Sequence, residues 1–280
     1  MPQLFAVIGD PIGHSLSPVI HNKIFEMLGG EERLYISLRI SPRQLRSAVD
    51  ILRSNFRGFN VTIPHKQDVI PLLDELTPEA VRCGAVNTVK CENGRLIGHN
   101  TDIKGFAAGF EGAGWQVDRS RALILGAGGA ARAVAWELAD RGCELTIANR
   151  TLAAAEKLVR DLQQAYPKLM VKALPFHGIL GKSYDLVVNC TPVGMGELEG
   201  QAPVDLEELR DVQYVYDLIY KPAQTELLRQ AQMLGCRVLN GLPMLVQQAA
   251  LADEFWLKQP ITGPMVTEVL VLLEEMTNYA

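Results

Sequence analysis

The sequence predicts an α/β protein with two domains. Strand-like and helix-like segments alternate from one end of the chain to the other, and 280 residues is a comfortable length for two domains. From Arg121 onward the alternation is regular, which is typical of a parallel sheet covered by helices on both faces. We therefore expect a doubly wound domain, preceded by an N-terminal α/β domain.

The composition argues against several classes of protein. With 48% hydrophobic residues, 21% charged residues and a net charge of −5, the chain lacks the basic surface that nucleic acids or acidic membranes require. Its first residues lack the features of a signal peptide, and no apolar run approaches the roughly 20 residues of a spanning helix. Five scattered cysteines indicate reduced thiols, and five histidines show no metal-binding spacing. We expect a cytoplasmic protein without a metal site.

Short strands and helix starts follow one another in the N-terminal part. Leu4 to Ile8 reads as an apolar strand, and Ser17-Pro18 is expected to open a helix with Ser17 as its N-cap. Leu34 to Ile40 reads as the next strand, and Ser41-Pro42 and Thr77-Pro78 repeat the helix start. A hairpin then turns at Glu92-Asn93-Gly94, between strand-like segments at 86–89 and 95–98.

The doubly wound domain follows from a second run of elements. Arg121 to Leu125 reads as a buried strand and Ala130 to Leu138 as a helix. Another helix runs through Leu158, and further strands are expected over Glu144–Ala148, Asp185–Asn189 and Tyr214–Leu218. We place the first domain at residues 1–102 plus 240–280, with helices around 244–257 and 264–276, and the second at 103–239.

Polar side chains cluster after one strand of the first domain. Gly58 to Ile63 reads as a strand, on which Asn60 and Thr62 share a face because they are two residues apart. Pro64 ends the strand and Lys66 follows. An amide, a hydroxyl and an ammonium group near one point suit a polyhydroxylated ligand. Taken alone, however, the segment fits an edge strand with a solvated polar face better.

A glycine-rich turn predicts a dinucleotide site. Gly126, Ala127, Gly128, Gly129 and Ala130 fit the G-x-G-x-x-G/A fingerprint between a strand and a helix, which makes the domain Rossmann-type. Glycines allow the backbone to approach a pyrophosphate, whose charge meets the helix N-terminus.

The end of the next strand distinguishes the two nicotinamide cofactors. An NAD site would place an acidic residue there, whereas this chain has Asn149, Arg150 and Thr151. Arg150 can pair with a 2′-phosphate, so the sequence favours NADP. Thr151 also fits an N-cap of the following helix.

Several other polar residues are candidates for binding a small molecule. Ser15 and Ser17 stand at a helix start, where a carboxylate can be bound with help from backbone N–H groups. Asp102 fits either an N-cap or a partner that positions Lys66 and shares its proton transfer. Asn87 lies on a strand, and Gln248 lies in a late helix where a core-facing amide would need a partner.

Together these residues resemble the shikimate 5-dehydrogenase family over nearly the whole chain. The resemblance is carried, in order, by the segments Gly9–Ile12, His14–Pro18 with His21-Asn22, Asn60–Lys66, Gly84–Thr88, Gly98–Asp102, Gly126–Ala131, Asn149–Thr151, Asn189–Met195, Asp217–Tyr220, and Gly241–Leu245 with Gln248.

The resemblance implies the NADPH-dependent, reversible reduction of 3-dehydroshikimate to shikimate in aromatic amino acid biosynthesis. It implies that Lys66 and Asp102 transfer the proton. It also implies that the substrate is bound by Ser15, Ser17, Asn60, Thr62, Lys66, Asn87, Asp102, Tyr220 and Gln248. Thr191, Leu218, Gly241 and Met244 join the glycine turn and Asn149 to Thr151 as cofactor-binding residues. A monomer or homodimer is expected.

One position departs from the family pattern. Many relatives carry a second Arg four residues after the one at 150, and this chain has Ala154 there, with Lys157 one turn further. Alternative functions are a quinate/shikimate dehydrogenase that uses NAD, and a non-catalytic regulator that senses shikimate. A reductase of the tetrahydrofolate or glutamyl-tRNA type would share only the nucleotide domain.

Overall fold

A computed structural model describes residues 2–13 and 15–278. The chain divides into two compact units. The first comprises the chain up to Gly105 together with Leu245–Leu273, and the second comprises Phe106–Met244 and the chain from Glu274. Each unit contains one six-stranded sheet, in agreement with the predicted α/β class.

The first unit is built on a mixed sheet with the strand order β2-β1-β3-β5-β6-β4. Its strands are β1 (Gln3–Gly9), β2 (Arg33–Arg39), β3 (Gly58–Val61), β4 (Glu75–Leu76), β5 (Thr88–Glu92) and β6 (Arg95–His99). Its helices are α1 (Ser17–Leu28), α2 (Leu45–Asn55), α3 (Pro78–Cys83), the start of α4 (Asp102–Gly112), and most of α8 (Leu242–Leu257) and α9 (Gly263–Asn278). β3 pairs in parallel with β1 and antiparallel with β5.

The segment at 58–63 is not an edge strand. β3 lies between β1 and β5, and all four of its residues are buried. Thr62 and Ile63 follow the strand rather than continue it, although the Thr62 N–H still donates to the Ile8 carbonyl of β1 at 2.9 Å. The central position excludes a solvated polar face for Asn60, whose amide needs protein partners.

The start of α1 differs from the prediction in its cap. Ser17 is the first helical residue, Leu16 occupies the N-cap position, and no side chain bonds there as a cap. The Ser17 N–H instead donates to Ser15 Oγ at 3.2 Å. Ser15 therefore satisfies one of the orphan donors of the helix, the role that the sequence suggested for Ser17.

The hairpin turn and the helix start at Thr77 confirm their predictions, whereas Ser41-Pro42 opens a 3-10 turn (Pro42–Gln44) that leads into α2. The prediction that Asn87 lies on a strand is wrong, because β5 begins at Thr88 and Asn87 immediately precedes it. Asn93 and Gly94 have φ values of 54° and 75° between β5 and β6, as a tight hairpin turn requires. Thr77 caps α3 by accepting from the Ala80 N–H, and Ser41 forms a capping box with Gln44.

The second unit is a parallel sheet with the strand order β12-β11-β10-β7-β8-β9. Its strands are β7 (Arg121–Leu125), β8 (Glu144–Ala148), β9 (Val171–Leu174), β10 (Leu186–Asn189), β11 (Tyr214–Asp217) and β12 (Arg237–Leu239), and its helices include α5 (Gly129–Asp140), α6 (Leu152–Ala165) and α7 (Glu226–Met233). Counted from β7, this is the order 3-2-1-4-5-6 of a Rossmann fold.

The strand order determines where a ligand can bind in the second unit. β7 and β10 are neighbours in the centre of the sheet, although β8 and β9 come between them in sequence. The order of the strands reverses at this point, and open α/β sheets bind ligands at the carboxyl ends of the strands there. The glycine turn follows β7, and Thr191 follows β10.

Candidate active site

Lys66 and Asp102 meet in the first unit. Lys66 lies in a turn after β3 and Asp102 is the first residue of α4, yet Lys66 Nζ donates to Asp102 Oδ2 at 2.5 Å. The two side chains are 14% and 5% exposed, so the ammonium group keeps some access to solvent while the carboxylate has almost none. A proton donor is thus fixed in orientation by a buried charge.

Asn87 is the centre of the surrounding hydrogen-bond network. Its Nδ2 donates to Asp102 Oδ1 at 2.8 Å, to Thr101 Oγ1 at 2.8 Å and to Gln248 Oε1 at 3.2 Å. Its Oδ1 accepts from the Thr101 N–H at 2.8 Å and from Thr88 Oγ1 at 3.0 Å. Gln248 is held in turn, since its Nε2 donates to the Leu245 carbonyl at 2.8 Å. Both oxygens of Asp102 therefore face donors from separate segments of the chain.

Asp102 does not act as a helix cap. Its two carboxylate oxygens accept from Lys66 and Asn87, and Asn100 serves the first turn of α4, where its Oδ1 accepts from the Ile103 N–H at 3.3 Å. Asn100 also donates to the Ala85 carbonyl at 2.9 Å. Because Asn100 bonds to the first turn of α4, the carboxylate of Asp102 remains available to Lys66.

Asn60 is held by the protein on all sides. Its Oδ1 accepts from the Tyr35 hydroxyl at 2.6 Å, and its Nδ2 donates to the Asn87 carbonyl at 3.1 Å and to Thr88 Oγ1 at 3.0 Å. Its binding of a ring hydroxyl stays a prediction, and the contacts also give it a role in fixing Asn87. Thr62 is half-buried beyond the strand, with its methyl group against Gly9.

Tyr35 links Asn60 to Ser17, the first residue of α1. Burial raises the pKa of the Tyr35 hydroxyl well above its usual value, Asp253 adds to the rise, and the Ser17 side chain opposes it by hydrogen bonding. Ser15 is half-buried beside Ser17. His14, which belongs to the same sequence motif, lies outside the described residues.

The glycine turn of the second unit fits a phosphate group. Gly126 has a φ of 109°, and a Cβ there would lie 3.2 Å from the Cys190 backbone, so only glycine suits the turn. Gly128 is the N-cap of α5 with ordinary extended angles, and nothing lies within 4 Å of a Cβ built on it. Open space before a helix N-terminus is what a pyrophosphate requires, and Ala127, Gly129 and Ala130 are partly exposed around it.

Asn149, Arg150 and Thr151 follow the carboxyl end of β8. Arg150 is exposed, and Asn149 Nδ2 donates to the Thr151 carbonyl at 2.9 Å. Thr151 occupies the N-cap position of α6, but its side chain makes no capping bond and stays exposed. Ala154 is half-buried in α6 and Lys157 is exposed. Three polar side chains of this group are thus presented at the strand end.

Thr191, Leu218 and Gly241 follow neighbouring strands at the same edge of the sheet. Thr191 Oγ1 donates to Asn189 Oδ1 at 2.7 Å, which holds the loop after β10. A Cβ on Gly241 would lie 2.0 Å from the Leu218 carbonyl oxygen, so only glycine permits the two backbones to come this close. Tyr220 is half-buried and Met244 is buried.

Several residues of these hydrogen-bond networks were not among the site residues predicted from the sequence. Tyr35, Thr88, Thr101 and Asn189 all bond directly to a predicted site residue. Asn100 and Asn189 each stand where a strand gives way to a turn, so their position was the available signal. The pairing of Tyr35 with Asn60 depends on strand order and leaves no local signal.

Neither a metal cluster nor a membrane helix occurs among residues 2–13 and 15–278. No group of three or more metal-binding side chains is found there, and none of the helices is long and apolar enough to cross a bilayer.

Comparisons with known proteins agree with the two-unit description. Residues 7–89 match the family model of the shikimate dehydrogenase substrate binding domain, and residues 111–193 match that of shikimate / quinate 5-dehydrogenase. The NADP-dependent shikimate dehydrogenase of Moorella thermoacetica is 44% identical over 258 residues, which are 90% of this chain and 87% of that protein.

Solved structures give the same result. Shikimate 5-dehydrogenase of Thermus thermophilus, in complex with NADP(H) and shikimate, has a TM-score of 0.85 at 37% identity and covers 96% of this chain and 98% of its own. The enzyme of Listeria monocytogenes, in complex with shikimate and NAD, has a TM-score of 0.83 at 33% identity and covers 96% of each chain.

Proposed function

This chain belongs to the shikimate dehydrogenase family, and on that basis we propose that it catalyses the NADPH-dependent, reversible reduction of 3-dehydroshikimate to shikimate in aromatic amino acid biosynthesis. The observation that carries the proposal is the 2.5 Å contact between Lys66 Nζ and Asp102 Oδ2. A pure binding protein has no need of an ammonium group held by a buried carboxylate. The regulator alternative is therefore not favoured.

The chemistry assigned to Lys66 follows from what a ketone requires. Bound NADPH supplies the hydride. A ketone accepts hydride poorly unless its oxygen receives a proton or a strong hydrogen bond at the same time. Lys66 gives its proton to that oxygen, and in the reverse direction it takes the proton of the hydroxyl being oxidised. The carboxylate of Asp102 balances the charge of the ammonium group. Because Asn87 fixes that carboxylate in turn, Asp102 also orients the ammonium group.

The substrate contacts are proposed on the remaining polar side chains. Ser15 and Ser17 lie at the start of α1, where a carboxylate finds hydroxyl and backbone N–H donors, and Tyr220 joins them in the proposal. The ring hydroxyls are assigned to Asn60, Thr62, Asn87, Asp102 and Gln248. The direct bonds from Asn87 to Asp102 and Gln248 support a common location for three of these.

The cofactor is assigned to the carboxyl edge of the second sheet. The open space at Gly128 supports a pyrophosphate there, and exposed Arg150, without an acidic neighbour at 149 or 151, supports a 2′-phosphate. Thr191, Leu218, Gly241 and Met244 are proposed to receive the nicotinamide half. NADP rather than NAD is the cofactor on these grounds.

Further parts of the proposal concern the domain limits, location and assembly. We keep residues 1–102 plus 240–280 as the substrate domain and 103–239 as the cofactor domain. The five cysteines are all free, which supports a reducing compartment such as the cytoplasm. A monomer or a homodimer is proposed.

Steady-state oxidation of shikimate and of quinate, each with NADP and with NAD, tests the proposed function. We expect the highest kcat/KM with shikimate and NADP. A higher kcat/KM with quinate and NAD would instead identify the protein as a quinate/shikimate dehydrogenase. Binding of shikimate without turnover under any of the four conditions would instead indicate a sensor.

A further inference from the structure

Asp217 is a fully buried carboxylate at the carboxyl end of β11, and every contact recorded for it is a hydrogen-bond donor. Oδ1 accepts from Asn189 Nδ2 at 3.0 Å and from the Ile219 N–H at 3.1 Å, while Oδ2 accepts from Thr225 Oγ1 at 2.7 Å. Within residues 2–13 and 15–278, no lysine or arginine forms an ion pair with it. The charge is thus compensated by three neutral donors.

These three donors belong to separate segments at the cofactor edge of the second unit. Asn189 ends β10, and its Oδ1 accepts from both the N–H and the hydroxyl of Thr191, at 3.0 and 2.7 Å. Ile219 lies between Leu218 and Tyr220. Thr225 caps α7, where its Oγ1 accepts from the Leu228 N–H.

A buried carboxylate without a cation is a costly way to hold three loops together. By contrast, the carboxylate of Asp185, at the amino-terminal end of the same sheet, is paired with Arg121 and partly exposed. Burying a charged group costs free energy unless it is both paired and hydrogen-bonded, and Asp217 is hydrogen-bonded but has no cationic partner among the described residues. Retention of the charge at position 217 therefore points to a role in the site rather than in stability.

We propose that Asp217 is a positioning residue for the cofactor: its carboxylate fixes the loops after β10 and β11 in the arrangement that receives the nicotinamide half of NADPH. This inference rests on the proposed function, since it takes Thr191 and Leu218 as cofactor contacts. Asp217 touches neither the cofactor nor the reacting atoms in this proposal. It acts through Asn189 and through the backbone at Ile219.

The charge state of Asp217 supplies a readout that a purely structural residue would lack. Burial raises the pKa of Asp217 to about 6, against the lowering effects of Thr225, Ile219 and Asn189. Protonation introduces an O–H where only donors point, so the three segments lose part of their common acceptor. Titratable and charged groups in the segments that carry these donors include Tyr220, Lys221, the Cys190 thiol, whose pKa is raised by burial and by the charge of Asp217, and Glu226 in its pair with Arg229.

The experiment measures the Kd of NADPH by its fluorescence from about pH 5 to about pH 8, a range that includes the raised pKa of Asp217, about 6. The variants are Asp217→Asn, Asp217→Ala and, as a matched control, Asp185→Asn at the opposite end of β10. The 2′-phosphate of NADPH itself titrates near pH 6, but it contributes equally to every variant. The ratio of each variant's Kd to that of the unmodified enzyme therefore isolates the protein group.

Three results are expected. Asp217→Ala, which removes an acceptor from three donors, raises the Kd roughly tenfold at neutral pH. Asp217→Asn raises it less, and its Kd ratio to the unmodified enzyme falls as the pH drops below about 6, because only the unmodified enzyme loses its acceptor there. Asp185→Asn keeps a constant ratio at every pH.

The inference would be overturned if the Kd ratio of Asp217→Asn to the unmodified enzyme stayed constant across this pH range. It would also be overturned if Asp217→Ala bound NADPH with the Kd of the unmodified enzyme. If the unmodified protein fails to bind NADPH at any pH, the proposed function falls instead. Binding of NADPH by the unmodified protein therefore distinguishes a failure of this inference from a failure of the proposed function.

Discussion

Single residues determine the chemistry through contacts that sequence spacing only partly predicts. The sequence placed Lys66 and Asp102 together as a proton-transfer pair, and the 2.5 Å contact confirms that they meet. It proposed a cap for Asp102 as an alternative, which is wrong because both oxygens are used elsewhere. Position alone cannot separate these two uses of an acid at a helix start.

Arg150→Ala tests the assignment of the 2′-phosphate at the residue scale. We expect the Kd of NADPH to rise roughly tenfold to a hundredfold, because a charge-assisted contact to phosphate is lost, and the Kd of NADH to change little. Isothermal titration with both cofactors measures this. Arg160→Ala, at an exposed arginine within α6, serves as the control.

Equal loss of affinity for both cofactors in Arg150→Ala would refute the 2′-phosphate contact. Ala154 stands where many relatives carry a second Arg, so this chain relies on fewer charges for the phosphate. Lys157→Ala then measures whether the next turn of α6 compensates.

Elements were predicted well where the pattern is local and less well where strand order decides. The strands at 121–125 and 144–148 and the hairpin at Asn93-Gly94 have strong local signals, and all three are confirmed. β9 and β12 were not predicted, and both are short strands at the edges of the second sheet. The central place of β3 and the exchange of roles between Ser15 and Ser17 depend on partners distant in sequence or on local backbone geometry.

Gly128→Ala tests the glycine turn at the scale of the strand-turn-helix element. Because nothing lies within 4 Å of the added Cβ and the φ of −80° suits alanine, the melting temperature should stay within a degree or two. The Kd of NADPH should rise roughly tenfold or more, since the methyl group occupies the space of the pyrophosphate. Thermal unfolding and fluorescence titration measure the two quantities.

Gly126→Ala is the matched comparison for this element. Its φ of 109° and its approach to the Cys190 backbone predict a loss of stability as well as of affinity. If Gly128→Ala bound NADPH as tightly as the unmodified enzyme, the pyrophosphate would have to lie elsewhere.

At the scale of the whole molecule, each unit has its own sheet and its own core. Phe5, Tyr35 and Trp256 belong to the core of the first unit, and Leu123, Val187 and Val215 belong to the core of the second. The proton-transfer pair is assigned to the first unit and the cofactor contacts to the second. The sequence predicted this division from its change of pattern near Arg121, whereas the exact limits of the domains stay a prediction.

The stability of the whole molecule should depend on the charge of Asp217. Its folded pKa of about 6 lies above the ordinary 3.8, so its favourable contribution is complete below about pH 4 and is lost as the pH rises through about 6. Asp217→Asn should therefore increase the free energy of unfolding at neutral pH, by at most about 3 kcal/mol. The gain should disappear as the pH falls toward 4.

Denaturant unfolding at several pH values measures this difference between Asp217→Asn and the unmodified enzyme. A variant that gains stability at neutral pH while losing affinity for NADPH has the trade-off expected of a residue kept for its function. A stability difference that is independent of pH would contradict the assigned titration.

The most direct test of the central claim is the steady-state oxidation of shikimate with NADP by Lys66→Ala. The proton of the substrate hydroxyl then has no acceptor, so kcat should fall by roughly 10²–10⁴ while the KM for shikimate changes far less. Lys104→Ala, at an exposed lysine two residues after Asp102, should retain normal turnover. Near-normal turnover in Lys66→Ala would contradict the account.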